Sequence, residues 1–186
     1  MGYSISWLAC RGLTAQAAGE RLGLTETTRT AECARAKFSA QSLPGEWHLI
    51  VANRCDHTMI RAPSLANLSV ECEVVACSVE EHVMHCSAEH WREGTRRWRI
   101  EHSSEKGAEH LDTEGELPAV LAALVAGAAA AQAADPDVDA FFDVPLQAAQ
   151  QLAGFKHDEE QPALDYDSFR VLEPEAAGRK WWHWRH

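Results

Sequence analysis

Apolar and polar residues alternate from Gly2 to Arg11, with Tyr3, Ile5, Trp7 and Ala9 on one side and Ser4, Ser6 and Leu8 on the other. A period of two places successive side chains on opposite faces of a strand, so this run reads as a first strand ending at Gly12. Thr14 is placed to cap a short helix through Leu22, with Gly23 as its stop. A weak strand is expected over residues 28–33. Pro44-Gly45 marks a turn before a stronger strand over residues 46–53, and residues 63–68 read as a short helical turn.

Residues 74–79, 82–91 and 96–103 alternate strongly enough to predict a three-stranded antiparallel meander. With Glu80-Glu81 as the first turn, Val79 faces His82, Cys77 faces Met84 and Val75 faces Cys86. A second loop at Arg92-Glu93-Gly94 sets Trp98 opposite Ala88 and Ile100 opposite Cys86. This register gathers the apolar side chains on one side, the condition a half-buried sheet imposes. From Leu117 the period becomes helical, with Leu117, Val120, Leu121, Leu124, Val125 and Ala128 forming one stripe. Asp143 is expected to cap a second helix, with Pro145 in its first turn and Gly154 at its end. Strands first and helices last predict an α+β fold: an antiparallel sheet containing the meander, covered by C-terminal helices. Residues 1–156 are read as one domain, and residues 157–186 as an acidic and then Trp/Arg-rich C-terminal tail.

Charge changes the picture more than composition does. The formal net charge is -11, yet residues 1–99 hold 11 acidic and 11 basic side chains. Residues 100–177 hold 17 acidic and 3 basic side chains. Such a surface repels phosphate backbones, which argues against nucleic acid and favours a basic protein partner or cations. No secretory signal opens the chain, so the six cysteines read as reduced thiols of a cytoplasmic protein. The opening Met1-Gly2-Tyr3-Ser4-Ile5-Ser6 fits the short myristoylation pattern, but it alternates as a strand does. The Ala-rich run over residues 117–134 lacks the hydropathy and positive flanks of a membrane span and is expected as a helix outside the bilayer.

The central run holds the densest candidate chemistry. A zinc site would draw on Cys77, Cys86 and either His82 or His90, because zinc takes thiolate and imidazole ligands tetrahedrally. The two cysteines are only diagonal neighbours in the expected register, and free cysteine packs as a small apolar group. These residues are therefore read as core, with no metal and no cofactor. Asp135, Asp137, Asp139 and Asp143 take the first, third, fifth and ninth positions of a calcium loop. Ala140 and Leu146 stand where such a loop needs glycine and glutamate, so the stretch reads as a solvated connector. No nucleophile elbow, phosphate loop or dinucleotide fingerprint occurs. Cys10, Cys55, His57 and His110 are available as nucleophile or base, and His157-Asp158-Glu159-Glu160 reads as a solvated charge run. Trp91, Arg92, Arg96, Arg97 and Arg99 are expected to group on the exposed side of the last hairpin as a basic-aromatic binding patch, since tryptophan and arginine are enriched at interaction hot spots.

The stretches Ser6-Trp7-Leu8-Ala9-Cys10-Arg11-Gly12, residues 74–102 and Gly154-Phe155-Lys156-His157-Asp158-Glu159 resemble segments of uncharacterised bacterial α+β proteins of similar length. That resemblance implies a bacterial cytosolic source and carries no activity. The expected function is a non-catalytic acidic binding protein, of the immunity or accessory type, for a basic protein partner. The alternative is a metal- or thiol-dependent enzyme built on the Cys/His-rich meander.

Overall fold

Nine strands form one continuous antiparallel sheet in the computed structural model, which describes residues 2–175. They are β1 Ser4–Arg11, β2 Leu24–Ala31, β3 Phe38–Leu43, β4 Trp47–Ala52, β5 Glu73–Glu80, β6 His85–Arg92, β7 Thr95–Ser103, β8 Asp112–Gly115 and β9 Phe169–Pro174. Across the sheet their order is β2-β9-β3-β4-β1-β5-β6-β7-β8. Helices α1 Ala15–Arg21, α2 Ala62–Leu68, α3 Leu121–Ala134 and α4 Asp143–Ala153 complete a roughly α+β fold. Among the described residues no helix is long and apolar enough to cross a membrane.

β1 takes the middle of the sheet because both of its faces are apolar. Ile5, Trp7 and Ala9 point to the front and Leu8 and Cys10 to the back, and all are buried. A strand covered on both sides reads as a near-continuous apolar run. On the front, α4 packs its Val144, Leu146, Ala148 and Ala149 into the same cluster as Val75, Cys77, Val79, Cys86 and Ala88. Phe155, just beyond Gly154, meets Trp7 edge to face at 5.3 Å between ring centroids. That geometry is worth about 1 kcal/mol beyond the area it buries. On the back, Leu65 and Leu68 of α2 close over Leu8, Val74, Ala76 and Trp91.

The hairpin registers differ from those expected, and the turns explain why. Residues 81–83 make a 3₁₀ turn and Met84 takes a left-handed φ of 47°, so four residues separate Glu80 from His85 instead of two. The Glu80 carboxylate accepts from the His82 amide at 3.3 Å and from Ser4 Oγ at 2.6 Å, which fixes that longer turn. Val79 therefore faces Cys86 and Cys77 faces Ala88. The next turn is the two residues Glu93-Gly94, both at positive φ (54° and 70°), as a type I′ hairpin requires. A bulge after His90 then sets Ala88 opposite Ile100 and His90 opposite Trp98. Both shifts are even, so the apolar side chains that remain in the paired strands keep the face they were expected to share. Gly115 has no alternative at its position: it opposes Trp98 with φ of 83°, and a Cβ there would lie 2.1 Å from the Arg97 carbonyl oxygen.

Three strands escape the pattern reading. β3 carries Ser39, Gln41 and Ser42 among its apolar residues, and Ser39 is fully buried. β8 is wholly exposed, so its residues carry no apolar alternation. β9 lies in the segment read as a tail, yet it pairs with both β2 and β3. The body of the fold therefore extends past residue 156 to at least 174. The Trp/Arg-rich end from residue 176 lies outside the described residues. α3 begins at Leu121, after Pro118, and Leu117 is left 41% exposed.

Candidate functional site

Of the five residues expected as a binding patch, Trp91, Arg96 and Arg99 come together around Glu89, while Arg92 and Arg97 do not join them. Trp91 is 6% exposed and packs under α2, with its indole Nε1–H donating to Glu89 at 2.7 Å. Arg99 lies between Glu89 and Glu114 in the strand ladder and pairs with Glu89 at 3.4 Å and with Glu101. Arg96 lies over the Trp91 ring and pairs with Glu114 at 2.5 Å and Glu89 at 3.4 Å. Arg97, displaced by the bulge, reaches Glu93 at 2.7 Å. Of the four arginines, Arg92 alone has no ion pair among the described residues. The expected patch was drawn without β8, whose Glu114 supplies part of the neutralising charge.

The cysteine and histidine side chains of the central strands do not converge either. Cys77 and Cys86 are buried in the front cluster, and Cys86 Sγ–H donates to the Phe142 carbonyl at 3.0 Å. Burial drives both thiols well above the usual range. His82 sits in the exposed turn, with Nδ1 on Glu80 at 2.6 Å. His90 pairs with Glu73 at 2.9 Å, and burial lowers its pKa despite that carboxylate. Among the described residues no three His, Cys, Asp or Glu side chains are grouped as metal ligands. The remaining thiols are separated from the imidazoles. Cys10 lies beside Cys72, and burial pushes it up to about 12. Cys55 borders Ser4 and Glu80. Among the described residues no hydrogen bond joins either thiol to His57 or His110.

Two aspartates of the connector, Asp139 and Asp143, turn to buried side chains of the front face. His102, fully buried, faces the His110 carbonyl oxygen through Nδ1 at 2.8 Å and Asp139 Oδ2 through Nε2 at 3.0 Å. A carbonyl only accepts, so Nδ1 is the donor in the first of these contacts. Asp143 starts α4 without capping it and turns to Lys156 Nζ at 3.2 Å. Only 2% of the Lys156 side chain is exposed, and it also meets Asp158 at 2.8 Å and Glu159 at 3.3 Å. Burial pulls the Lys156 pKa down, but its bond to Asp158 and the charges of Asp143 and Asp158 outweigh that and raise it. Next to it, His157 Nε2 bonds Glu81 at 2.9 Å, and Tyr3 stacks edge-on against the imidazole. Residues 156–159 are thus a lock that ties the chain after α4 to the β5–β6 turn. The signal lay in Lys156-His157, two cationic residues that follow the aromatic Phe155 inside an acidic run.

Comparisons of the chain with protein-family models, with curated proteins and with solved structures give no match. The functional reading therefore rests on the geometry alone.

Proposed function

We propose that this chain is a non-catalytic acidic binding protein that engages a basic protein partner, in the manner of immunity-type or accessory proteins. One observation carries the reading. Glu105, Glu109, Glu116, Asp135, Asp137 and Glu160 are exposed and have no ion-pair partner among the described residues. They belong to β8 and its flanks, to the α3–α4 connector and to the segment after α4. We read β5–β7 as a meander under the C-terminal helices, a rigid base from which those loops present negative charge. The arginines of β7 are matched by carboxylates and do not offset that field. Such a surface steers a basic partner and disfavours phosphate backbones. Six free cysteines support a cytoplasmic setting.

The test is binding between the purified chain and a basic protein encoded beside its gene. Retention at low salt and release above roughly 0.3 M, where charges are screened beyond about 6 Å, is the expected result. The triple change Asp135→Lys, Asp137→Lys, Glu160→Lys should abolish retention while the far-ultraviolet spectrum stays unchanged. Retention indifferent to both salt and charge reversal would sink the proposal. A stoichiometric metal in protein purified without chelator would instead favour the enzyme reading.

A further inference from the structure

Along β7 and under α4 the basic side chains meet carboxylates, but around one cleft on the back of the sheet they do not. This cleft, of about 480 Å³, opens between α2, the turn after α1, and the ends of β3 and β9. That volume suits a small organic ligand. Leu22, Leu24, Phe38 and Met59 give it an apolar wall, Lys37, His57, Thr58 and Asn67 supply polar groups, and no carboxylate lines it. Arg21 also reaches the cleft, but its guanidinium is engaged by Glu71.

The charge at the cleft is unmatched and its rim is built. Lys37, Arg54 and Arg61 have no carboxylate partner among the described residues. Lys37 and His57 both line the cleft, and the His57 pKa is lowered, first by burial and then by the charges of Arg54, Lys37 and Arg61. His57 Nδ1 accepts from the Met59 amide at 3.2 Å, leaving Nε2–H as the free donor. Two buried serines of the sheet hold the loop in place. Ser6 Oγ donates to the Arg54 carbonyl at 2.8 Å and accepts from the His57 amide at 3.0 Å. Ser78 Oγ accepts from the Asp56 amide at 3.1 Å and donates to the Asp56 carboxylate at 3.3 Å, which draws the one acid of that loop to the sheet. An orphan ammonium at Lys37 and a free imidazole donor on a fixed loop, set against an apolar wall, complement an anionic head on an apolar body.

We propose that this cleft binds a small phosphomonoester, its phosphate at Lys37 and the His57 Nε2–H and its organic part against Leu22, Phe38 and Met59. The test is nuclear magnetic resonance titration of the full chain with phenyl phosphate, inorganic phosphate and phenol. Phenyl phosphate should shift the amides of residues 57–59 and 64–67 and bind about tenfold more tightly than either fragment. Inorganic phosphate binding as tightly as phenyl phosphate would point to a free-phosphate site and overturn the organic part of the proposal. Lys37→Ala, an exposed position, should weaken phenyl phosphate about tenfold, and Leu22→Ala, a change in the apolar wall away from Lys37 and His57, should weaken it while leaving inorganic phosphate unaffected. Arg92→Ala removes an equally unpaired cation elsewhere and should change nothing. Shifts outside the cleft, or equal losses in the Lys37 and Arg92 variants, would overturn the proposal.

Discussion

The two faces of the sheet treat charge in opposite ways. On the front, nitrogen-bearing side chains are buried and each is met by carboxylates: His102 by Asp139, the Lys156 ammonium by Asp143, Asp158 and Glu159, and His157 by Glu81. On the back the covering helices are short, the packing under α2 is apolar, and the unmatched ammonium of Lys37 stays at the surface on the rim of a cleft. The difference separates two uses of a positive side chain. A buried cation needs its counter-charges for the fold to persist, whereas an exposed one keeps its field for a ligand.

The largest expected effects strike both faces alike. Phe155→Ala on the front and Leu65→Ala on the back should each cost about 3–4 kcal/mol in urea denaturation, because each opens a cavity in a filled cluster. A loss below about 1 kcal/mol at either site would mean that its face is not closed as described.

Lys156→Met separates the faces. It should cost about 2 kcal/mol at neutral pH, below the range for fully buried pairs because the carboxylates it leaves are partly exposed. Its pH signature matters more than its size. Burial raises the Asp158 pKa, but the ammonium of Lys156 outweighs that and depresses it, and the Glu159 pKa is depressed first by a bond from Gln150 and then by Lys156. Carboxylates depressed on folding add stability above their unfolded values, which is lost as pH falls through their folded ones. The raised Lys156 adds stability below its unfolded value, which is lost as pH climbs through the folded one. The variant should therefore flatten the stability profile at both the acid and the alkaline end, and Leu65→Ala should shift it without changing its shape.

Thiol reactivity tests the cores without mutation. Burial pushes Cys10 and Cys33 up to about 12 and Cys72 to about 11. At pH 8 roughly one Cys10 in ten thousand is thiolate, so native protein should show slow labelling of all but the half-exposed Cys55. All six should react once the chain is unfolded. Rapid native labelling of Cys77 or Cys86 would revive the thiol chemistry. The smallest effect is expected from Arg97→Ala, within about 0.5 kcal/mol, since its pair with Glu93 is exposed.

Much of this was legible from the residues where an element is long and patterned. β1, the strands around the central hairpins, α2, and α4 with its glycine stop all follow from period, caps and turns. Register was harder, because the Glu81–Met84 turn closes through the Glu80 carboxylate, a contact that no turn signal announces. The failures share one cause. β3, β8 and β9 owe their extended state to neighbours distant in sequence and not to their own alternation. Missing β8 made the arginines of β7 look free. Missing the lock at Lys156 made a buried pair of cationic residues look like part of a solvated run.

β9 has one more consequence, for how the sheet is made. Among the described residues β2 has β9 as its sole sheet partner, and the two strands meet across 144 positions of sequence, as the bond from Thr27 to Val171 shows. Until residues 169–174 have been synthesised and docked, β2 has nothing to pair with and the flank of β3 lies open. Closing so wide a loop is slow. That side of the protein should thus gain hydrogen-exchange protection last, and a nascent chain stalled before Phe169 would carry two sticky edges into the cell.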